Sequence, residues 1–388
     1  MPTGLVLSGG GARGAFQVGV WKVLHEDRRA FDGALPSVIS GTSAGALNGA
    51  LIAAGLTPEQ ILDFWLDIAD RPPIRANEDF FRSLWATIAR ILVREPLRGL
   101  KRRRREFRIL GGLLRKHRWH RTSGQYALAL EFLLTARFDN FSEILDGITT
   151  THLFQTDPFK QRLAKALGSN RLPQTQVRLA INTVNAATGE VVRIVNHPPF
   201  KRPQATIKHY RYEPTLSLDM LVASASIPLL FNPVSIQGDT LWDGGLLVNS
   251  PMAPVVALGA KRIVPVLVTV KGTPDRGLHS FGNALERLVD TLLENAYTID
   301  RKLLLARNEL ADRWTEEGLT RVELLKPIRP CSSSLFNAGS YLYFERNTLI
   351  SMYEAGQRAA QRWLADGLRV DAKARRAPPP SPPGDLAR

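Results

Sequence analysis

The spacing of apolar residues in the N-terminal third predicts strands alternating with helices, the pattern of a parallel sheet with crossover helices. Leu5-Val6-Leu7 is a short apolar strand followed by a glycine loop. Ala15 to His25 places Phe16, Val20, Val23 and Leu24 on one helical face. Val38-Ile39 is a second strand, and after a tight turn Ala44 to Ala54 reads as a helix. Thr57-Pro58-Glu59 opens another, with Thr57 as N-cap and Pro58 at the first helical position. The same alternation resumes later. Val177 to Ile181 and Val191 to Val195 are predicted strands around an Ala187-Thr188-Gly189 turn, and Leu216 to Ala225 is a predicted helix. Leu241-Trp242 ends a strand, and Ile263 to Val270 is β-rich. Ala284 to Arg307 has apolar residues at 285, 288, 289, 292, 293, 296 and 299, as an amphipathic helix requires. Glu345 to Trp363 is the last predicted helix. Asp371 to Arg388, with Pro378-Pro379-Pro380 and Pro382-Pro383, reads as a disordered tail.

Composition supports a folded protein. The chain of 388 residues is 44% hydrophobic with seven tryptophans, enough for one large core or two smaller ones. Cys331 is the single cysteine, which excludes an intramolecular disulfide and fits a reducing, cytoplasmic setting. The start lacks the basic segment and apolar run of a cleavable leader. From Gly33 to Pro58 no residue is charged, long enough to cross a bilayer. That run also holds Pro36, Asn48 and five glycines, so a strand, turn and buried helix are predicted there instead.

Three motifs carry candidate chemistry. Gly41-Thr42-Ser43-Ala44-Gly45 is a G-x-S-x-G sequence between a strand and a helix. On so sharp a turn the serine oxygen is exposed, small neighbours relieve crowding, and the helix N-terminus faces developing negative charge. Gly9-Gly10-Gly11-Ala12-Arg13-Gly14 also fits a dinucleotide fingerprint, which would require an acid such as Asp32 after a second strand. The next strand leads into the serine turn instead. Backbone N–H groups offered to an oxyanion are therefore the preferred reading of these glycines. Asp243-Gly244-Gly245 follows a strand end, where glycines leave a carboxylate facing a cleft, although Asp-Gly is also an ordinary turn.

Together these motifs, with Ala223-Ser224-Ala225-Ser226-Ile227-Pro228 and Phe231 upstream of the aspartate, resemble the patatin-like phospholipase family. The resemblance covers roughly residues 1 to 70 and 150 to 270. It implies an α/β three-layer sandwich, with a mainly parallel central sheet between helices. The catalytic domain would span residues 1 to 370, interrupted near 71 to 150 by a basic helical insertion. It also implies a Ser43–Asp243 dyad that hydrolyses fatty-acyl esters of lipids or phospholipids without a metal or cofactor. In that scheme Gly9, Gly10, Gly11, Arg13 and Gly14 form the oxyanion region, Arg13 bracing the loop or meeting a substrate phosphate. Gly41, Thr42, Ala44 and Gly45 shape the nucleophile elbow, and Gly244 and Gly245 the aspartate turn. Two alternatives stand beside it: an α/β-hydrolase triad using His279, and a non-catalytic lipid-binding scaffold.

Charge adds a partner. Residues 71 to 121 hold 16 Lys and Arg against four acids. Phe80-Phe81, Leu84-Trp85, Ile88 and Ile91-Leu92 precede the cluster Lys101, Arg102, Arg103, Arg104 and Arg105. An amphipathic helix beside such a cluster suits an anionic membrane surface, at about 1 kcal/mol per cation. A solvated cap is the other reading, and no nucleic-acid-binding module is recognisable.

Overall fold

In the computed structural model, residues 1–71, 74–94, 144–200, 209–270, 281–313, 320–331, 334–336 and 338–371 are described. The Lys101 to Arg105 cluster, His279 and nearly all of the proline-rich tail lie outside them. The chain forms two compact units, Met1–Arg75 with Thr156–Arg388, and Ala76–Gln155.

The larger unit is built on a nine-stranded sheet. Its strands are β1 (Thr3–Leu7), β2 (Val38–Thr42), β3 (Arg178–Asn185), β4 (Val191–Val195), β5 (Tyr210–Tyr212), β6 (Val234–Ile236), β7 (Asp239–Asp243), β8 (Arg262–Val266) and β9 (Glu323–Leu324). The main path runs β9-β8-β1-β2-β3-β7-β6, with β4 on β3 and β5 on β4. Pairing is parallel from β9 to β3, as predicted, and antiparallel where β3 meets β4 and β7 and where β7 meets β6.

Alternate strand residues enter two separate cores, as the two-residue period of a strand requires. Leu5, Leu7, Ile39, Leu179, Ile181, Val264 and Val266 face one core. Val6, Val38, Ala180 and Ile263 face the other. The first core is completed by α1 (Gly14–Glu26), α2 (Ala44–Ala53), α3 (Pro58–Asp70), α5 (Asp157–Leu167), α6 (Leu218–Ser224) and α9 (Arg346–Ala365). The second is completed by α7 (Met252–Ala257) and α8 (Phe281–Arg313). This is the α/β architecture expected from the sequence, a largely parallel sheet flanked by helices.

Local chemistry sets the helix ends. Thr57 and Gln60 form a reciprocal capping box on α3, with Pro58 in the first turn. The predicted helix from Leu216 starts at Leu218, because Ser217 leaves helical geometry to accept the Met220 N–H through its hydroxyl. Helices α1, α2 and α3 are locked by one buried amide. Asn48 donates to the Gly14 carbonyl and to Gln17 Oε1, each at 2.9 Å, and accepts from the Trp65 indole at 2.8 Å. The predicted strand Ile263 to Val270 stops at Val266. Beyond it the Val268 N–H turns to the Ser8 hydroxyl, 3.1 Å away.

In the smaller unit α4 (Glu78–Arg94) is the one long described helix. Asn77 ties its start to the segment beginning at His152, donating through its backbone to the Leu153 carbonyl (2.9 Å) and through Nδ2 to that of His152 (3.0 Å). Ile88 and Ile144 are buried in this unit.

Candidate active site

The sheet register brings the serine turn and the aspartate turn together. One edge of β3 pairs with β4 over residues 180 to 184. The opposite edge is shared: β2 occupies residues 178 to 182, ending with Thr42 opposite Asn182. The strand β7 takes over from the next residue, with Asp243 opposite Thr183. Two strands thus end against each other on adjacent residues of β3, one leading into Ser43 and the other closing at Asp243.

Ser43 joins β2 to α2 with φ 54° and ψ −126°. A side chain in that region costs of order 1–3 kcal/mol, and the surroundings must hold it there. The crossing is tight. A Cβ on Gly41 would lie 2.2 Å from the Gly45 carbonyl oxygen, and one on Gly45 would lie 2.2 Å from that of Leu7. The Thr42 hydroxyl donates to the Val248 carbonyl at 2.7 Å, and Ala44 is buried. The Ser43 N–H donates to Ser224 Oγ at 3.0 Å, and that hydroxyl donates to the Asn182 carbonyl at 2.7 Å. The Ser43 carbonyl accepts the first helical bonds of α2, from Ala46 and Leu47.

Asp243 is 4% exposed. Its backbone N–H donates to the Ser226 carbonyl at 3.0 Å, so Ser224 and Ser226 of one segment hold the two chemistry-bearing turns by their backbones. The carboxyl accepts the Gly245 N–H at 2.7 Å, and the Ser43 side chain acts on it as a second, weaker influence. Burial pushes its pKa from 3.8 to about 7, against the downward pull of the Gly245 N–H and the Ser43 side chain. Gly244 has no room for a side chain, since its Cβ would fall 2.3 Å from the Asn182 carbonyl oxygen.

The glycine loop divides differently from the sequence expectation. The Gly9 N–H is spent on the Asn249 carbonyl at 3.1 Å, and the Gly14 N–H is spent on the carbonyls of Gly11 and Ala12. These two glycines therefore have no free donor, because the loop uses them to close its own turn. Among the described residues, the Gly10 and Gly11 N–H groups meet no protein acceptor. Gly11 adopts φ 52° beneath the Tyr341 carbonyl, which lies 2.1 Å from where a Cβ would sit. Arg13 is fully buried and acts as a brace. It donates to Ser340 Oγ (2.8 Å) and the Val268 carbonyl (3.1 Å), pairs with Asp290 (3.3 Å), and lies 3.6 Å above the Tyr341 ring. Its guanidinium is thus engaged inside the protein. Asp32, the acid a dinucleotide site would need, pairs with Arg262 instead.

Sequence reasoning assigned no role to Asn182, Ser224, Ser226 or Asn249. The Ala223 to Pro228 segment was recognisable as a motif, but hydrogen bonding through backbone groups leaves no residue-level signature. Among the described residues, the side-chain and backbone partners of Ser43 and Asp243 include no histidine. Among the same residues no group of His, Cys, Asp or Glu could hold a metal ion, and no helix is long and apolar enough to cross a membrane.

A family model described as patatin-like phospholipase matches residues 5–256. The chain belongs to this family. Its similarity to a lysophospholipase, nte1 of Aspergillus terreus, reaches 58% identity over 50 residues, 13% of this patatin-like chain and 3% of the relative. The chain thus corresponds to a small part of that relative's length. Among solved structures, VipD from Legionella pneumophila aligns with 93% of this chain and 67% of its own, at 17% identity and a TM-score of 0.36. ExoU, in its complex with SpcU from the type III secretion system of Pseudomonas aeruginosa, aligns with 96% of this chain and 65% of its own, at 16% identity and a TM-score of 0.25.

Proposed function

We propose that this protein hydrolyses fatty-acyl esters of lipids or phospholipids, with Ser43 as nucleophile and Asp243 as its general base. The register that ends the strands leading to Ser43 and Asp243 on adjacent residues of β3, with Ser43 strained and the Asp243 carboxyl buried, carries the proposal. Burial pushes that carboxyl to a pKa of about 7. A carboxyl at its ordinary pKa is too weak a base to draw a proton from serine, whereas one held near neutrality is matched to the task. Asp243 takes the Ser43 proton as Oγ attacks the ester carbonyl. The Gly10 and Gly11 N–H groups, with the N-terminus of α2, receive the oxyanion. On collapse the ester C–O bond breaks, and the proton passes from Asp243 to the departing alcohol. Water then attacks the acyl-Ser43 carbonyl, gives a proton to Asp243, and releases the fatty acid as Oγ regains that proton.

Family membership and the lysophospholipase relative support a lipid ester as the substrate class. The basic cluster Lys101 to Arg105 would dock the enzyme on anionic membrane, so the full chain should pellet with anionic but not neutral vesicles, and neutralising the cluster should abolish this. The catalytic reading is tested with a fluorophosphonate probe and a fatty-acyl ester. Wild type should label at Ser43 and turn over ester, Ser43→Ala should do neither, and Asp243→Asn should lose turnover. Labelling elsewhere, or near-normal turnover by either variant, would refute the dyad and favour a lipid-binding scaffold or another nucleophile.

A further inference from the structure

The carboxamide of Asn249 stands beside this pair and is used by no contact described above. It is 1% exposed, yet among the described residues neither Oδ1 nor Nδ2 has a hydrogen-bond partner. Leaving such groups unpaired costs about 1–3 kcal/mol each, so a buried amide with both ends free calls for a guest. Its location is set by Gly9 and Gly245. Oδ1 lies 2.6 Å from where a Cβ on Gly9 would sit, and that same point is 3.2 Å from Ser43 Cβ. It also lies 3.6 Å from the corresponding point on Gly245, whose N–H binds the Asp243 carboxyl. The carboxamide is therefore aimed between the nucleophile turn and the base turn.

Its backbone needs no help from the side chain. The Asn249 carbonyl is fixed by the Gly9 N–H, and the preceding Val248 carbonyl by the Thr42 hydroxyl. A side chain whose main work was to brace these loops would use its own donors and acceptor to do so. The guest must match one donor and one acceptor side by side. A tetrahedral oxyanion only accepts, which would leave Oδ1 unpaired. A water molecule accepts from Nδ2 while donating to Oδ1, and its second hydrogen remains available to a base.

We propose that Asn249 holds the water that hydrolyses the acyl-Ser43 intermediate. This inference rests on the Ser43–Asp243 reading and assigns a residue to its second half. The water oxygen forms the new bond to the acyl carbon, and its free hydrogen passes to Asp243. Collapse breaks the bond between the carbon and Ser43 Oγ, Oγ takes the proton back from Asp243, and the carboxylic acid departs.

The test separates the two halves of the reaction. Fluorophosphonate labelling follows attack by Ser43 and needs no water. A preformed short-chain acyl-enzyme, isolated by gel filtration and followed by intact mass, reports hydrolysis alone. In Asn249→Leu, labelling should stay within about threefold of wild type while decay of the acyl adduct slows by about 30-fold, the scale of one or two lost hydrogen bonds. Hydroxylamine, a strong nucleophile that needs no positioning, should release the adduct from the variant as fast as from wild type. Asn249→Ala, read in the same way, replaces the leucine variant if that one does not fold. Unchanged adduct decay, or labelling that falls as far as decay, would overturn the proposal. Wild type that fails to label at Ser43 would instead remove the dyad reading beneath it.

Discussion

Asp243→Asn isolates the stability cost of keeping a carboxyl where it can act as a base. In the folded protein this group holds its proton to about pH 7, and in the unfolded chain it releases it near 3.8. A raised folded pKa favours folding fully below the unfolded value, and that contribution is lost as pH rises through the folded value. At about 1.36 kcal/mol per pH unit, the interval from 3.8 to about 7 corresponds to about 4 kcal/mol. Asparagine keeps the shape and the acceptor for the Gly245 N–H but carries no charge. Above pH 8 the variant should therefore be more stable than wild type by up to about 4 kcal/mol, or roughly 5 °C in Tm. Near pH 4 the two should melt together. Asp300, a second buried carboxyl pushed up to about 6 by desolvation, has the same sign but is common to both proteins and cancels in the comparison. Thermal melts across this pH range measure the difference directly. A variant no more stable than wild type at pH 8.5, or a gap independent of pH, would refute the argument that desolvation dominates at Asp243.

On the proposed mechanism, kcat/KM for a neutral ester should rise through about pH 7 and level above it, because a base must be ionised to accept the serine proton. A profile flat down to about pH 5 would exclude Asp243 as the base. Ser43→Gly should be more stable than Ser43→Ala by about 1 kcal/mol in denaturant melts, since glycine tolerates φ 54° and alanine does not. Ser224→Ala leaves the Ser43 N–H and the Asn182 carbonyl without their shared partner, and should cost about 1–3 kcal/mol together with slower fluorophosphonate labelling.

Much of the fold was readable because strand and helix periods differ so clearly. Val6 and Leu7 fall into opposite cores, and Phe16 and Val20 fall on one helical face, as their spacing dictates. The antiparallel turn of β7 against β3 was not readable, because pairing between distant strands depends on register rather than local pattern. At the site, Ser43 and Asp243 stood out by their glycines. Ser224 and Asn249 did not, since serine and asparagine are common in loops and their significance here lies in burial and in what they do or do not touch. Arg13 was legible as a conspicuous charge in a glycine loop. Its contacts with Tyr341, Ser340 and Asp290, over 270 residues away in sequence, left no trace in the local pattern.

The shared edge of β3 has a consequence for how this fold tolerates change. Ser43 and Asp243 are 200 positions apart in sequence, but their separation in space is fixed by a single peptide step, from Asn182 to Thr183. Chain added between them alters a detour and leaves the ruler untouched. A segment of any length inserted between the two turns can therefore build new surface without moving Ser43 relative to Asp243.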